Sequence, residues 1–485
     1  MMKFLIFLLF FSLGNLRAQV APDAANDLEL EDVKSDTKVE FTPENQGVSL
    51  SLTNAIEQGL RLNFQERIRS YTRESLELYW DKTFYSFWFP SPNLFLSNQD
   101  QNLQRISPNT SNGQQFGTTT KSGQASIGMN LGDFTVFNWG RDYLLYKNAE
   151  YSFTRGKQVL DEQRRKLKFN VIRGYFNLVR LKQIQKIKRE QLRHTSFIYR
   201  LAKERVLQRK ISKQDYYQAR GEFLRSQTEY QQAQFDVTNE QQNLANLLGE
   251  NLQTAFNPEE VLQFKAMNVP LKDAIDYSLT QSPTYRTAKL EFDNSERFYE
   301  HTLRENLPLP KITTQLGTYS FNNNREGGST TYQTYPGNSN VELVASINMT
   351  WDLWGGDGLF NSRRNKHAYI DKKIAEINYF NARRELEVKM RMSYNQIKFL
   401  ENQIQISTVQ LDNANKNFDV ILDNFVAGTS TFADLKNAIN TLVNSGINVE
   451  NSKYEHLNLK LELSDNMGLE DFPGERFENL ALGQK

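Results

Sequence analysis

Residues 52–67, LTNAIEQGLRLNFQER, return in altered form at 271–286, LKDAIDYSLTQSPTYR. Leu52, Ala55, Ile56, Leu60 and Arg67 meet Leu271, Ala274, Ile275, Leu279 and Arg286, each pair 219 positions apart. Asp215 and Gly249 meet Asp434 and Gly468 at the same offset, while Pro90, Pro92 and Asn177 meet Pro308, Pro310 and Asn395 at 218. A register that slips by a single position over such a length identifies one structural unit written twice. Whatever the first half builds, the second must build again.

Prolines outline that unit. All twelve lie outside 109–257 and 337–472, stretches dominated by Leu, Ala, Gln, Glu, Lys and Arg, the composition of long helices. From Arg141 to Gln208 the only glycines are Gly156 and Gly174, which predicts a helix of roughly 100 Å. No single core is that long, so the helices must lie side by side as a coiled-coil-like bundle. Each stretch has one reversal point, Ser212-x-x-Asp215 and Thr431-x-x-Asp434, where a hydroxyl at N-cap and an acid three residues on predict a capping box. Helical hairpins are therefore expected over about 141–249 and 359–468.

Ahead of each hairpin the pattern changes. In VELVASINMTW, Val341, Leu343, Ala345, Ile347, Met349 and Trp351 fall on every second position, the signature of a strand with one apolar face. Ala125, Ile127, Met129 and Leu131 alternate likewise. Each half is expected to hold one short helix and then a strand pair, about 90–137 and 308–354, with 107–122 read as the first connecting loop. All five tryptophans, Trp80, Trp88, Trp139, Trp351 and Trp354, flank these segments, as in the aromatic girdle of a bilayer-spanning barrel.

The N-terminus sets the compartment. Lys3, the apolar run Phe4–Phe11 and Leu16-Arg17-Ala18 have the form of a secretory signal cleaved after Ala18, too short to span a bilayer itself. An acidic segment is expected over 19–48, repeat one over 49–269, repeat two over 270–469, and a tail over 470–485. No later segment reads as a transmembrane helix, so a place in a membrane requires strands. Hydrophobic residues make up 39 % of the chain and the mean hydropathy is −0.63, leaving too little apolar helix surface to cover four strands. The alternate apolar residues Val341, Leu343, Ile347 and Met349 are then expected to face lipid. Four strands cannot close a barrel, and an open edge in lipid is prohibitive. Several chains must combine, eight strands from two or twelve from three.

Other chemistries find no support. The 58 Lys+Arg balance 57 Asp+Glu, so no global field favours nucleic acid. The absence of cysteine removes disulfides, thiolate metal sites and an acylated N-terminal Cys. The four histidines are isolated, GGDG at 355–358 fits a strand-to-helix turn, and no catalytic motif occurs. No enzyme, metal or cofactor is expected.

With the doubled unit, the SLTNAIEQGLRLN opening, the FNWGR entry to the long helix and FVAGTSTFADLKNA at the second tip, the chain resembles the TolC family of outer-membrane efflux proteins over about 49–469. The resemblance implies mixed α and β structure. Three chains would share a twelve-stranded transmembrane β-barrel, four strands each, continuing into a periplasmic α-helical barrel. It also implies a homotrimer in outer-membrane lipid that works with a periplasmic adaptor and an inner-membrane transporter, and no nucleic acid. FVAGTSTFADLKNA is similar to the family's Tyr-x-Val-Gly-Thr-x-Thr-x-x-Asp-x-x-Asp tip. Asp434 then matches the first aspartate of an acidic constriction, and Asn437 stands where the second would be. Phe425 replaces a gate tyrosine whose hydroxyl bonds an acid matched by Asp215. Gly428 and Thr429 match the adaptor-contact tip, with Ala427 for Val. Arg209, flanked by Lys210 and Lys213, stands where the first tip has glycine.

Alternatives come from the residues themselves. Asp215 and Asp434 equally suit plain helix caps, and Gly428 a turn glycine. The stretch 141–210 holds twenty bases and six acids, which reads as a face paired with neighbouring acids or as a basic lining. An exported trimeric coiled-coil adhesin remains the second reading, for which sustained heptads without doubled strands would speak.

Overall fold

The computed structural model describes residues 47–108, 115–307, 310–322, 341–351 and 362–469, and of 95–108, 115–133, 315–322 and 341–346 the backbone alone. The expected leader, nearly all of the acidic segment, the tail, Trp354 and GGDG lie outside these residues, as do the side chains of Val341 and Leu343.

The first half runs through β1 (Val48–Leu50), α1 (Leu52–Leu62), α2 (Phe64–Trp88), β2 (Asn93–Pro108), β3 (Gln115–Phe137), α3 (Arg141–Leu207), α4 (Lys213–Leu248) and β4 (Phe256–Pro258). The second runs through α5 (Leu271–Gln281), α6 (Pro283–Glu305), β5 (Lys311–Asn322), β6 (Val341–Thr350), α7 (Ser362–Ala427) and α8 (Phe432–Met467). One short helix per half was expected, and there are two. Asn63 breaks the first pair, its side chain accepting from Gln65 N–H at 2.7 Å and donating to Leu247 O at 2.8 Å. Ser282 breaks the second, with Pro283 opening α6, where a missing N–H costs nothing. β1 and β4 form a parallel pair that the sequence did not announce.

The remaining strands make one antiparallel sheet in the order β2-β3-β5-β6. The first loop is shorter than 107–122, because β3 begins at Gln115 and Pro108 pairs with Gln115; the β-branched run Thr118–Thr120 favours extended backbone. Residues 347–350 are all exposed, so among the described residues no protein layer covers either face of β6 at that end. β2 and β6 are its open edges.

Two tiers of helices hang from the sheet. In the nearer tier α2, α3, α6 and α7 stand in a row, and in the farther tier the row is α4, α3, α8, α7. Buried positions on α4 (Tyr216, Ala219, Phe223, Ser226, Tyr230, Ala233, Val237) alternate by three and four residues, and so do Leu386 to Ser407 on α7. That spacing is the 3.5-residue seam of a left-handed coiled coil. Sustained heptads therefore occur together with doubled strands, so the condition for the adhesin reading, heptads without doubled strands, is not met.

Basic residues of α3 are paired with acids on its neighbours: Lys157 with Glu77 (3.4 Å), Arg155 with Glu291 (2.6 Å), Lys188 with Glu229 (2.8 Å) and Arg165 with Asp465 (2.9 Å). Among the described residues no helix is long and apolar enough to cross a membrane.

Candidate functional site

Both hairpins turn at the end remote from the sheet, and they turn alike. α3 ends with Arg209 N–H donating to Val206 O (3.0 Å) and Lys210 N–H to Arg205 O (2.9 Å). α7 ends with Gly428 N–H donating to Phe425 O (3.1 Å) and Thr429 N–H to Asn424 O (2.9 Å). This is the Schellman stop, which needs a left-handed residue. Gly428 supplies it at φ +85°, whereas Arg209 sits at +58°, a conformation costing a side-chain-bearing residue about 1 kcal/mol or more. Their separation is again 219.

The returning helices are capped by the expected hydroxyls. Thr431 forms the full box: its Oγ1 accepts from Asp434 N–H (3.2 Å), and its own N–H and hydroxyl donate to the Asp434 carboxylate at 3.2 and 2.6 Å. Those bonds from Thr431 hold the Asp434 carboxyl below the ordinary aspartate range. At the first tip the box is incomplete. Ser212 Oγ accepts from Asp215 N–H (3.1 Å) and donates to its carboxylate (2.8 Å), but the return bond comes from the hydroxyl, not from the backbone N–H.

A cleft of about 550 Å³ separates the two turns, lined among others by Arg205, Lys210, Asp215, Phe425 and Gly428. Asp434 and Asn437 lie exposed outside it. Phe425 is buried, packed with Leu435 and Ile439 of α8 and Ile198 of α3 in the apolar seam between the two hairpins. The residue that sequence reasoning missed is Arg205. Its guanidinium donates to Phe425 O (3.2 Å) and Val426 O (2.8 Å), and lies 5.5 Å from the Phe425 ring centre. It thereby pairs Val426 O at the end of α7 and adds a second bond to Phe425 O, which already accepts from Gly428 N–H. The only hint in the sequence was a base one turn before the first reversal.

At the other end, aromatics gather where strands meet helices. Trp139, 40 % exposed, donates from Nε1 to Pro310 O (3.1 Å), tying the end of β3 to the start of β5. Trp88 and Trp351 are also exposed. Trp88 closes α2 just ahead of β2, whereas Trp80 lies a further two turns back within α2, not beside a strand as expected, and stacks on Phe153, centroids 5.2 Å apart. Among the described residues there is no cluster of potential metal ligands.

The sequence model of the outer membrane efflux protein family matches residues 88–250 and 275–468. The chain belongs to this family. It is an outer-membrane protein of the efflux-channel class, with the TolC-like architecture. Among solved structures it is similar to the outer membrane protein VceC of Vibrio cholerae (TM-score 0.70, 14 % identity, 86 % of this chain and 96 % of that one). It is likewise similar to the CmeC outer membrane channel of Campylobacter jejuni (0.69, 16 %, 88 % and 88 %). The open state of the Neisseria gonorrhoeae MtrE outer membrane channel aligns at 0.66, with 14 % identity over 86 % and 89 %. At such identities the likeness is one of fold. No curated protein sequence matches the chain.

Proposed function

We propose that three copies of this efflux protein close into a channel-tunnel, a twelve-stranded barrel in the outer membrane and a helical barrel in the periplasm. It would export small molecules or proteins delivered by an inner-membrane transporter and a periplasmic adaptor. The observation that carries this is that every tier of the chain ends in two different unmatched edges: β2 and β6 in the sheet, α2 and α7 in the near tier, α4 and α7 in the far tier. Unlike edges join head to tail, and generate a ring where the rotation between copies closes.

The helical edges are apolar where they lack a neighbour. On α2, Phe64, Ile68, Tyr71, Leu78 and Tyr85 are exposed at heptad spacing; on α7, Met392, Phe399, Ile406 and Val420 are. Both lines support burial by a second copy. Ile347 and Met349, exposed on β6, suit contact with lipid, and the exposed tryptophans suit the interface.

In this reading the tips are the periplasmic gate. Asp434 and Asn437 form successive rings facing the axis, Phe425 closes by packing in place of a hydroxyl bond, and Asp215 faces it across the cleft. Gly428, Thr429, Arg209 and Lys210 meet the adaptor. Reconstitution into planar bilayers tests this. A trimer that conducts, whose cation preference falls in Asp434→Asn and reverses in Asp434→Lys, is the expected result. Unchanged selectivity in both variants makes Asp434 a helix cap and nothing more, and a folded, non-conducting monomer ends the reading.

A further inference from the structure

The two turns are built to one backbone plan, yet their surfaces differ. Over 196–219 the chain carries six bases and two acids; over 415–438, the positions 219 residues on, it carries two bases and three acids. At the apex Gly428-Thr429 is replaced by Arg209-Lys210. The fold requires neither cation. The same stop forms without them in the second hairpin, and a Cβ added at Gly428 would meet nothing within 4 Å. Space therefore does not explain why one apex is bare and the other carries a long cation in a left-handed conformation.

Two of the charges nearby are already committed. Arg205 is spent on the carbonyls of Phe425 and Val426, and the Asp215 carboxylate accepts the Ser212 hydroxyl. Arg209 and Lys210 are exposed beyond both. They stand one 67-residue helix away from the sheet, on the order of 100 Å, so the lipid around the barrel is out of reach.

We propose that the first-hairpin apex is a docking point for an acidic protein surface, so that the adaptor's glutamate- or aspartate-bearing tips seat on Arg209 and Lys210, while Gly428 and Thr429 at the second apex offer it contact without charge. In a ring of three the apices then alternate between basic and near-neutral. An acidic adaptor tip is thereby directed to every second apex, because charge at an exposed rim sets encounter and register more than affinity. The proposal rests on the channel reading above and deepens it.

The test uses the full-length trimer in mild detergent. The probe is a synthetic antiparallel coiled-coil hairpin with glutamates around its turn, and its twin has glutamine at those positions. Fluorescence anisotropy should show binding of the glutamate hairpin alone. Arg209→Gly/Lys210→Thr, which copies the second apex onto the first, should weaken it about tenfold or more, as should raised salt. Arg363→Gln/Lys366→Gln, removing two exposed bases near the sheet, should leave it unchanged. Equal binding of both hairpins, or equal loss in the two double variants, overturns the proposal. So does a falling trimer melting temperature in Arg209→Gly/Lys210→Thr with hairpin binding intact, which would assign the cations to acids of the adjacent copy, Asp419 and Asp423 on α7. Conductance of the same preparation keeps the failures apart: a silent preparation counts against the channel, and a conducting one that ignores the glutamate hairpin counts against the docking point.

Discussion

Replacing Phe399 measures how much the ring depends on the outer line of α7. Phe399 is 66 % exposed in the single chain, although it points away from the helix's own buried seam at Ile397, Leu400 and Ile404. A phenylalanine side chain offers on the order of 200 Å², so closure would remove about 130 Å² of it from water. At about 25 cal/mol per Å² that is roughly 3 kcal/mol per copy, and roughly 9 kcal/mol over three equivalent contacts. Phe399→Ala should therefore shift the trimer-to-monomer midpoint in a detergent or urea series strongly downward, and Phe399→Asp should abolish the trimer. Gln405→Ala, exposed on the flank of the same helix, should leave the midpoint within error. The protomer's own helicity should survive in every case. A full-strength trimer in Phe399→Asp would refute the reasoning, since no ring could then be closed by the 392–399–406 line.

Ile347→Arg should cost about 2–4 kcal/mol if that face meets the bilayer midplane, while Asn348→Arg should be mild; comparable loss of barrel insertion from both would show that the strand is not half in lipid. Arg205→Ala removes two charge-assisted bonds of a partly exposed side chain, about 1–2 kcal/mol locally, and should raise hydrogen exchange at 424–429 without altering amides near the sheet; unaltered exchange there would mean that the guanidinium holds nothing. His456 is buried on α8 beside Lys460 and facing Glu401 and Lys398 of α7, and burial pushes its pKa down to about 4. A group whose folded pKa lies below its unfolded value of about 6.5 leaves stability full above 6.5 and lost progressively as pH falls toward 4. The melting temperature should accordingly drop over that window, and His456→Val, which installs the residue found 219 positions earlier at Val237, should flatten the drop; an identical profile in both proteins would remove His456 from the account.

The elements legible in the sequence were those with a long period or a hard stop. The heptad helices announced themselves through proline-free length, and Gly249 and Gly468 through the glycine each helix end requires. Both sit at positive φ, with an added Cβ meeting Leu62 O and Gln281 O in the two halves. The break at Ser282 carries Pro283, but its counterpart at Asn63 rests on one side-chain amide bonded to Leu247 O, a contact that no local pattern encodes. β1 and β4 were illegible because three residues are too few for a period and their partners are some two hundred positions apart. At the tips the caps were readable as motifs, since hydroxyl and acid lie three residues apart. Arg205 was not, because its acceptors are backbone carbonyls, which are the same in every sequence. Which residues line the cleft and which lie outside it depends on how two hairpins pack, and spacing within one hairpin carries nothing about that.

The matched arms carry a consequence for how such a chain can change. α4 and α8 are both 36 residues long, and α3 and α7 are 67 and 66. An inserted residue in one arm would rotate everything beyond it by about 100°, turning the seam outward and putting its partner out of step. Growth or shrinkage that leaves every seam position in place comes by whole heptads, about 10 Å at a time, with the outgoing and returning arms of both hairpins taking the step together. The molecule is in that sense a graduated rod, and any machine meeting its tips from the opposite membrane must span the remainder in its own length.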